Sequence, residues 1–131
     1  MTVSGELIPP DSEAGATMRD DTVIDLLEGV VDLHVHAGPD RIPRRGDDHT
    51  LALELKDGGF LAAVHRHHWC DTVARAAAAS ESARFKLLGA LVLNSATGGL
   101  SASAVESALT DGAALISLPT LSAGIFSRGY R

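Results

Sequence analysis

The chain has 131 residues, 45% of them apolar and 21% charged, with 17 acidic against 11 basic side chains and a net charge of −6. This composition excludes a disordered chain, and the acidic balance leaves no Lys/Arg stripe for nucleic acid. No apolar run is long enough for a membrane span, no signal peptide opens the chain, and the single Cys70 excludes an internal disulfide. The expectation is one domain, or part of one, in the cytoplasm, with neither nucleic acid nor membrane as partner.

Residues 1–20 mix Gly, Pro, Ser and acids without apolar periodicity, which predicts a flexible arm. A short helix follows from Asp21, with Val23, Ile24 and Leu27 on one stripe and Gly29 at its stop. Four nearly continuous apolar runs then recur, at Val30–His36, Phe60–Arg66, Leu87–Leu93 and Ala113–Leu118. Such runs suit parallel strands covered on both faces.

Helical patterns separate the strands. They cover Thr50–Lys56 before Gly58-Gly59, the alanine-rich Thr72–Ala83, and Ser103–Thr110. The last opens on the capping box Ser103-x-x-Glu106 and closes at Gly112. Strand, helix, strand in regular succession predicts an α/β fold of right-handed parallel βα units over residues 21–121. Four such units make either a small open sheet or half of a (β/α)8 barrel, which needs about 250 residues. Residues 122–131 carry no further element signal, so the expectation is a truncated half barrel with an irregular tail. Its two bare sheet edges would favour self-association.

The chemistry concentrates where strands give way to loops. Residues two apart on a strand share a face, so His34 and His36 project together, with Asp32 below them. Two neutral imidazoles on a rigid strand end can share a divalent ion, with Asp32 orienting them. The run His65-Arg66-His67-His68-Trp69 ends the second strand. Alternation sets His65 and His67 against Arg66 and His68, and parity alone does not say which pair faces His34 and His36. One set would add a ligand and a cation suited to an anionic group.

Asn94 stands just past the third strand, where it could face the cleft; Pro119-Thr120 follows the fourth, where a barrel enzyme could place a ligand or hydrogen-bond donor, but no Lys, Glu, Asp or His stands there to bridge a metal. Ser95–Gly99 reads as a plain turn. Asp40, Arg41, Arg44 and Arg45 read as a solvated charge run, and His49 as a residue of a capping region. Cys70 has no evident Cys-His-Asn arrangement, so a nucleophilic part is not expected of it.

Asp32-Leu33-His34-Val35-His36-Ala37-Gly38-Pro39-Asp40 resembles the first-strand motif of the amidohydrolase superfamily of metal-dependent hydrolases. More closely, the chain is similar to an amidohydrolase-like group. That group continues with a His-containing second strand end, a V-L-N-x-x-x-G-G-L segment and a strand ending in P-T. His68, Val92–Leu100 and Pro119-Thr120 stand at those places.

The resemblance covers roughly residues 28–121. It implies a TIM-barrel-like fold with a divalent ion, Zn²⁺ by first choice, on His34 and His36, and with His68 as the further ligand. Arg66, His68 and Asn94 would position a small-molecule substrate. The reaction would be attack of a metal-activated water on an amide, ester or cyclic C–N bond. The group carries Lys where Arg66 stands, and an arginine cannot shed its proton to act as a base. The later histidines and the aspartate of well-studied amidohydrolases have no counterpart here.

Phosphoesterases of the polymerase-and-histidinol-phosphatase type also open on His-x-His. Gly59 and His68 match the ends of their second-strand segment, but His67 replaces its aspartate. A non-catalytic fragment is the remaining alternative.

Overall fold

The computed structural model describes residues 25–125. The expected arm, the first turn of the expected helix from Asp21 and the end of the tail lie outside them. Residues 25–27 form a helical turn that stops at Gly29, whose φ of +76° suits glycine.

Strands and helices alternate as β1 (Val31–Val35), α1 (Asp48–Asp57), β2 (Ala62–His65), α2 (Val73–Ala83), β3 (Leu87–Val92), α3 (Ala102–Thr110) and β4 (Leu115–Ser117). All four strands are parallel and lie side by side in chain order, in a sheet curled into a half barrel. The apolar runs thus mark the strands, with one or two residues lost at most ends. Among the described residues no helix is long and apolar enough to cross a membrane.

The helices pack on the convex face. Ala52 and Leu55 of α1 and Ala76, Ala79 and Ala83 of α2 enclose Ala63, Phe85 and Leu87. Ala108 of α3 packs with Leu91, Leu93 and Ala113. Alanine side chains let helix and sheet approach closely. Among the described residues β1 and β4 each pair on one side only, and Leu33 and Leu118 stay exposed beside these edges.

Two helix starts are capped by side chains. Asp47 accepts from the Thr50 N–H at 2.8 Å and opens α1. α3 opens at Ser101, which accepts from the Ala104 N–H at 3.3 Å, so the expected box at Ser103 is corrected. Ser103 sits inside the helix, and its hydroxyl meets that of Ser101 instead. One more residue of helix lets α3 begin directly after the turn at Gly99.

The tightest junction joins α2 to the sheet. The Thr72 hydroxyl donates to the His65 carbonyl at 2.6 Å and accepts from the Ala90 N–H at 2.8 Å, bridging β2 and β3. At Gly89 an added Cβ would stand 2.4 Å from the Val73 Cα. Only glycine lets the helix start lie this close. Gly89→Ala should therefore cost about 2–3 kcal/mol through overpacking. A urea titration would read this as a lower midpoint at unchanged slope, whereas a midpoint equal to wild type would contradict the close approach.

Candidate metal site

On β1, Asp32 pairs with Ala63 and Val35 pairs with His65, so three steps along β1 match two along β2. His34, within this slip, and His36, just after it, meet on the concave side. Their Nε2 atoms are 3.0 Å apart and their ring centroids 5.0 Å. The slip lies between Asp32 and Val35. The Asp32 carboxylate accepts from the His34 backbone N–H at 2.8 Å and so braces the main chain rather than an imidazole.

Parity at the end of β2 resolves in favour of Arg66 and His68. Arg66 Nη1 donates to His34 Nδ1 at 3.2 Å, and Nη2 donates to the Ser117 hydroxyl on β4. Ser117 was not singled out from sequence, because a serine inside an apolar strand carries no motif. The His68 ring lies 5.0 Å from that of His36, and its Nδ1 meets the Thr120 hydroxyl at 3.0 Å. Asn94 is buried. Its Nδ2 donates to the His68 carbonyl and to Thr120 Oγ1, while its Oδ1 accepts from the Thr120 and Ser122 N–H groups. With both amide ends used on protein, Asn94 positions His68 and the turn after β4.

His65 and His67 turn to the helix side. His65 is fully buried, with Nδ1 3.4 Å from Asp48 Oδ1 and Nε2 accepting from the Ala37 N–H at 3.4 Å. Arg75 grips both Asp48 oxygens at 2.8 Å and donates to the Gly38 and Pro39 carbonyls at 2.8 and 3.2 Å. The helix layer thereby holds the loop that follows His36.

Asp40 is not part of a solvated charge run. Its carboxylate is enclosed and pairs with Arg44 at 2.6 Å. Burial alone would raise its pKa, but the Arg44 hydrogen bond and the Ile42 N–H outweigh that and hold it below the usual carboxylate range. Arg41 lies over Trp69, and Arg45 meets Glu54 in solvent. His49 lies within α1 and meets the Ser82 hydroxyl at 2.8 Å, leaving the cap to Asp47.

The concave-side imidazoles are electrically neutral at neutral pH. Burial and then Arg44 push His36 down to about 4. Burial lowers His68, and burial with Arg66 lowers His34. Neutral rings are the form that binds a metal. Ligand nitrogens about 2.1 Å from a tetrahedral ion stand roughly 3.4 Å apart, so the His34–His36 pair fits after opening by a few tenths of an ångström.

Arg66 can only donate, so His34 Nδ1 accepts and the ring keeps its proton on Nε2. That proton points at His36 Nε2. The Arg66 main chain favours the charged form of His36 without bringing a well-aligned partner to its buried Nδ1. Among the described residues no group of three or more His, Cys, Asp or Glu side chains is arranged to hold an ion. A two-imidazole edge is therefore present, and His68 stands beside it rather than closing a cage.

His65 gives the fold a pH dependence of definite sign. Burial, opposed by Asp48, lowers its pKa from 6.5 to about 4. Between these values the unfolded chain binds the extra proton, so stability rises with pH through that window. Acidification from 6.5 to 4 should thus lower the thermal midpoint, and above 6.5 this contribution should be flat. A constant midpoint across the window would contradict a buried, neutral His65.

No curated protein and no solved structure matches the chain. Residues 29–129, which include the whole sheet and both faces of the β2 end, match the model of a family of unknown function, DUF6282, and the chain belongs to that family.

Proposed function

We propose that this chain carries part of the centre of a metal-dependent hydrolase of the amidohydrolase type, on βα units of the kind that close into a (β/α)8 barrel. The observation that carries this reading is the His34–His36 pair, two neutral imidazoles with Nε2 atoms 3.0 Å apart at a strand end on the concave face. When bound, a divalent ion such as Zn²⁺ supplies an acidified water at neutral pH, fit to attack an amide, ester or cyclic C–N bond. The bare edges of β1 and β4 agree with a sheet that closes with further strands, since closure alone removes edges.

The chain's own residues then have distinct parts. His34 and His36 hold the ion through Nε2. His68 keeps Nε2 free of Thr120 and faces the same space, where it can take a substrate proton or a remaining metal position. Arg66 places a permanent positive charge there for a substrate carbonyl or carboxylate. His67, which stands in place of the phosphoesterase aspartate, points to the helix side, so the phosphoesterase reading gains no support.

Arg66 also competes with the ion. With an ion held on Nε2, His34 would carry its proton on Nδ1, where the Arg66 donor opposes it. The Arg66–His34 hydrogen bond is worth about 1–1.5 kcal/mol. Zinc titration by calorimetry should give stoichiometric binding to wild type, loss of binding in His36→Ala, and roughly tenfold tighter binding in Arg66→Met. Equal zinc content in wild type and His36→Ala would remove the ligand assignment. Weaker zinc binding in Arg66→Met would refute the competition.

A further inference from the structure

A second line of contacts runs on the helix side, among residues the metal reading leaves unused. Cys70 Sγ lies 3.1 Å from His67 Nδ1, and His67 Nε2 lies 3.4 Å from Asp40 Oδ1. His67 is only 6% exposed, and the Asp40 carboxylate is enclosed by Arg44 and the Ile42 N–H. The Trp69 N–H donates to His67 Nδ1 at 3.2 Å. Nδ1 is therefore the accepting nitrogen, and the ring proton sits on Nε2, beside Asp40 but without a well-aligned hydrogen bond to it.

Sulfur, imidazole and carboxylate thus stand in series, the order of nucleophile, base and orienting group. The two partners use opposite edges of the ring, so they cannot converge on one ion. A thiol needs such a base to attack as thiolate.

Cys70 lines a cleft of about 420 Å³ together with Trp69, Thr97, Ala104 and Ser107. Asp71 and Asp111 also line it, and no basic residue does. This lining repels anions and suits uncharged molecules.

We propose that Cys70 is a nucleophile, activated by His67 and positioned through Asp40, that takes the acyl group of an uncharged ester bound in this cleft. Sγ attacks the carbonyl carbon while its proton passes to His67 Nδ1. The S–C bond forms, the C–O bond to the alcohol breaks, and the leaving oxygen takes the proton back from His67. A thioester on Cys70 and a free alcohol result, and the imidazole ends neutral.

The probe is p-nitrophenyl acetate, offered to the full chain with a chelator present so that no metal-activated water contributes. Mass spectrometry should find one acetyl group on Cys70, with matching release of p-nitrophenolate. The folded thiol should react about tenfold or more faster than the same thiol in urea-unfolded chain. His67→Gln, folded by circular dichroism, should lose that advantage. A folded chain no faster than the unfolded one overturns the proposal, as does acetylation elsewhere or a folded His67→Gln reacting at the native rate. If His67→Gln fails to fold, the comparison of folded with unfolded wild type decides.

Discussion

Neighbouring residues at the end of β2 project to opposite sides of the sheet, and this sets where every chemically active group lies. Arg66 and His68 join His34, His36, Ser117 and Thr120 on the concave side. His65 and His67 join Asp48, Asp40 and Cys70 on the helix side. One five-residue run therefore feeds two separate clusters. A shift by a single residue would exchange their members, so the pairing of β2 with β3 is as consequential as any side chain.

Thr72 and Gly89 secure that pairing. The Thr72 hydroxyl ties the last residue of β2 to the middle of β3, and the missing side chain of Gly89 lets α2 start against the strand. From α2, Arg75 reaches Asp48 of α1 and the two carbonyls after His36. The convex helix layer thus fixes a loop whose other end carries the imidazole pair. Packing on one face sets ring geometry on the other, because strand and loop are continuous.

Sequence alone revealed the four strands, because Val30–His36, Phe60–Arg66, Leu87–Leu93 and Ala113–Leu118 are apolar runs between helical patterns. It also revealed His34 and His36 as a pair, since two residues per repeat is a local rule. It did not reveal the slip on β1 between Asp32 and Val35, which depends on the partner strand. It misread Asp40 as solvated, because a carboxylate among arginines looks exposed until the loop is seen to fold over it. The Cys70–His67–Asp40 line was missed for the same reason: its carboxylate lies some 30 positions from the other two groups, and only loop packing joins them. A residue following a histidine-rich strand end and preceding a helix was the one available cue.

The central claim is that two neutral imidazoles, with opposite ring nitrogens protonated, stand ready to share an ion on the concave face. Long-range proton–nitrogen NMR of the histidine rings tests it most directly, before and after zinc is added. In metal-free protein His34 should carry its proton on Nε2 and His36 on Nδ1; with zinc, both should carry it on Nδ1 and show metal-shifted Nε2 signals. A His34 ring protonated on Nδ1 from the outset, or two rings unmoved by zinc, would contradict the claim.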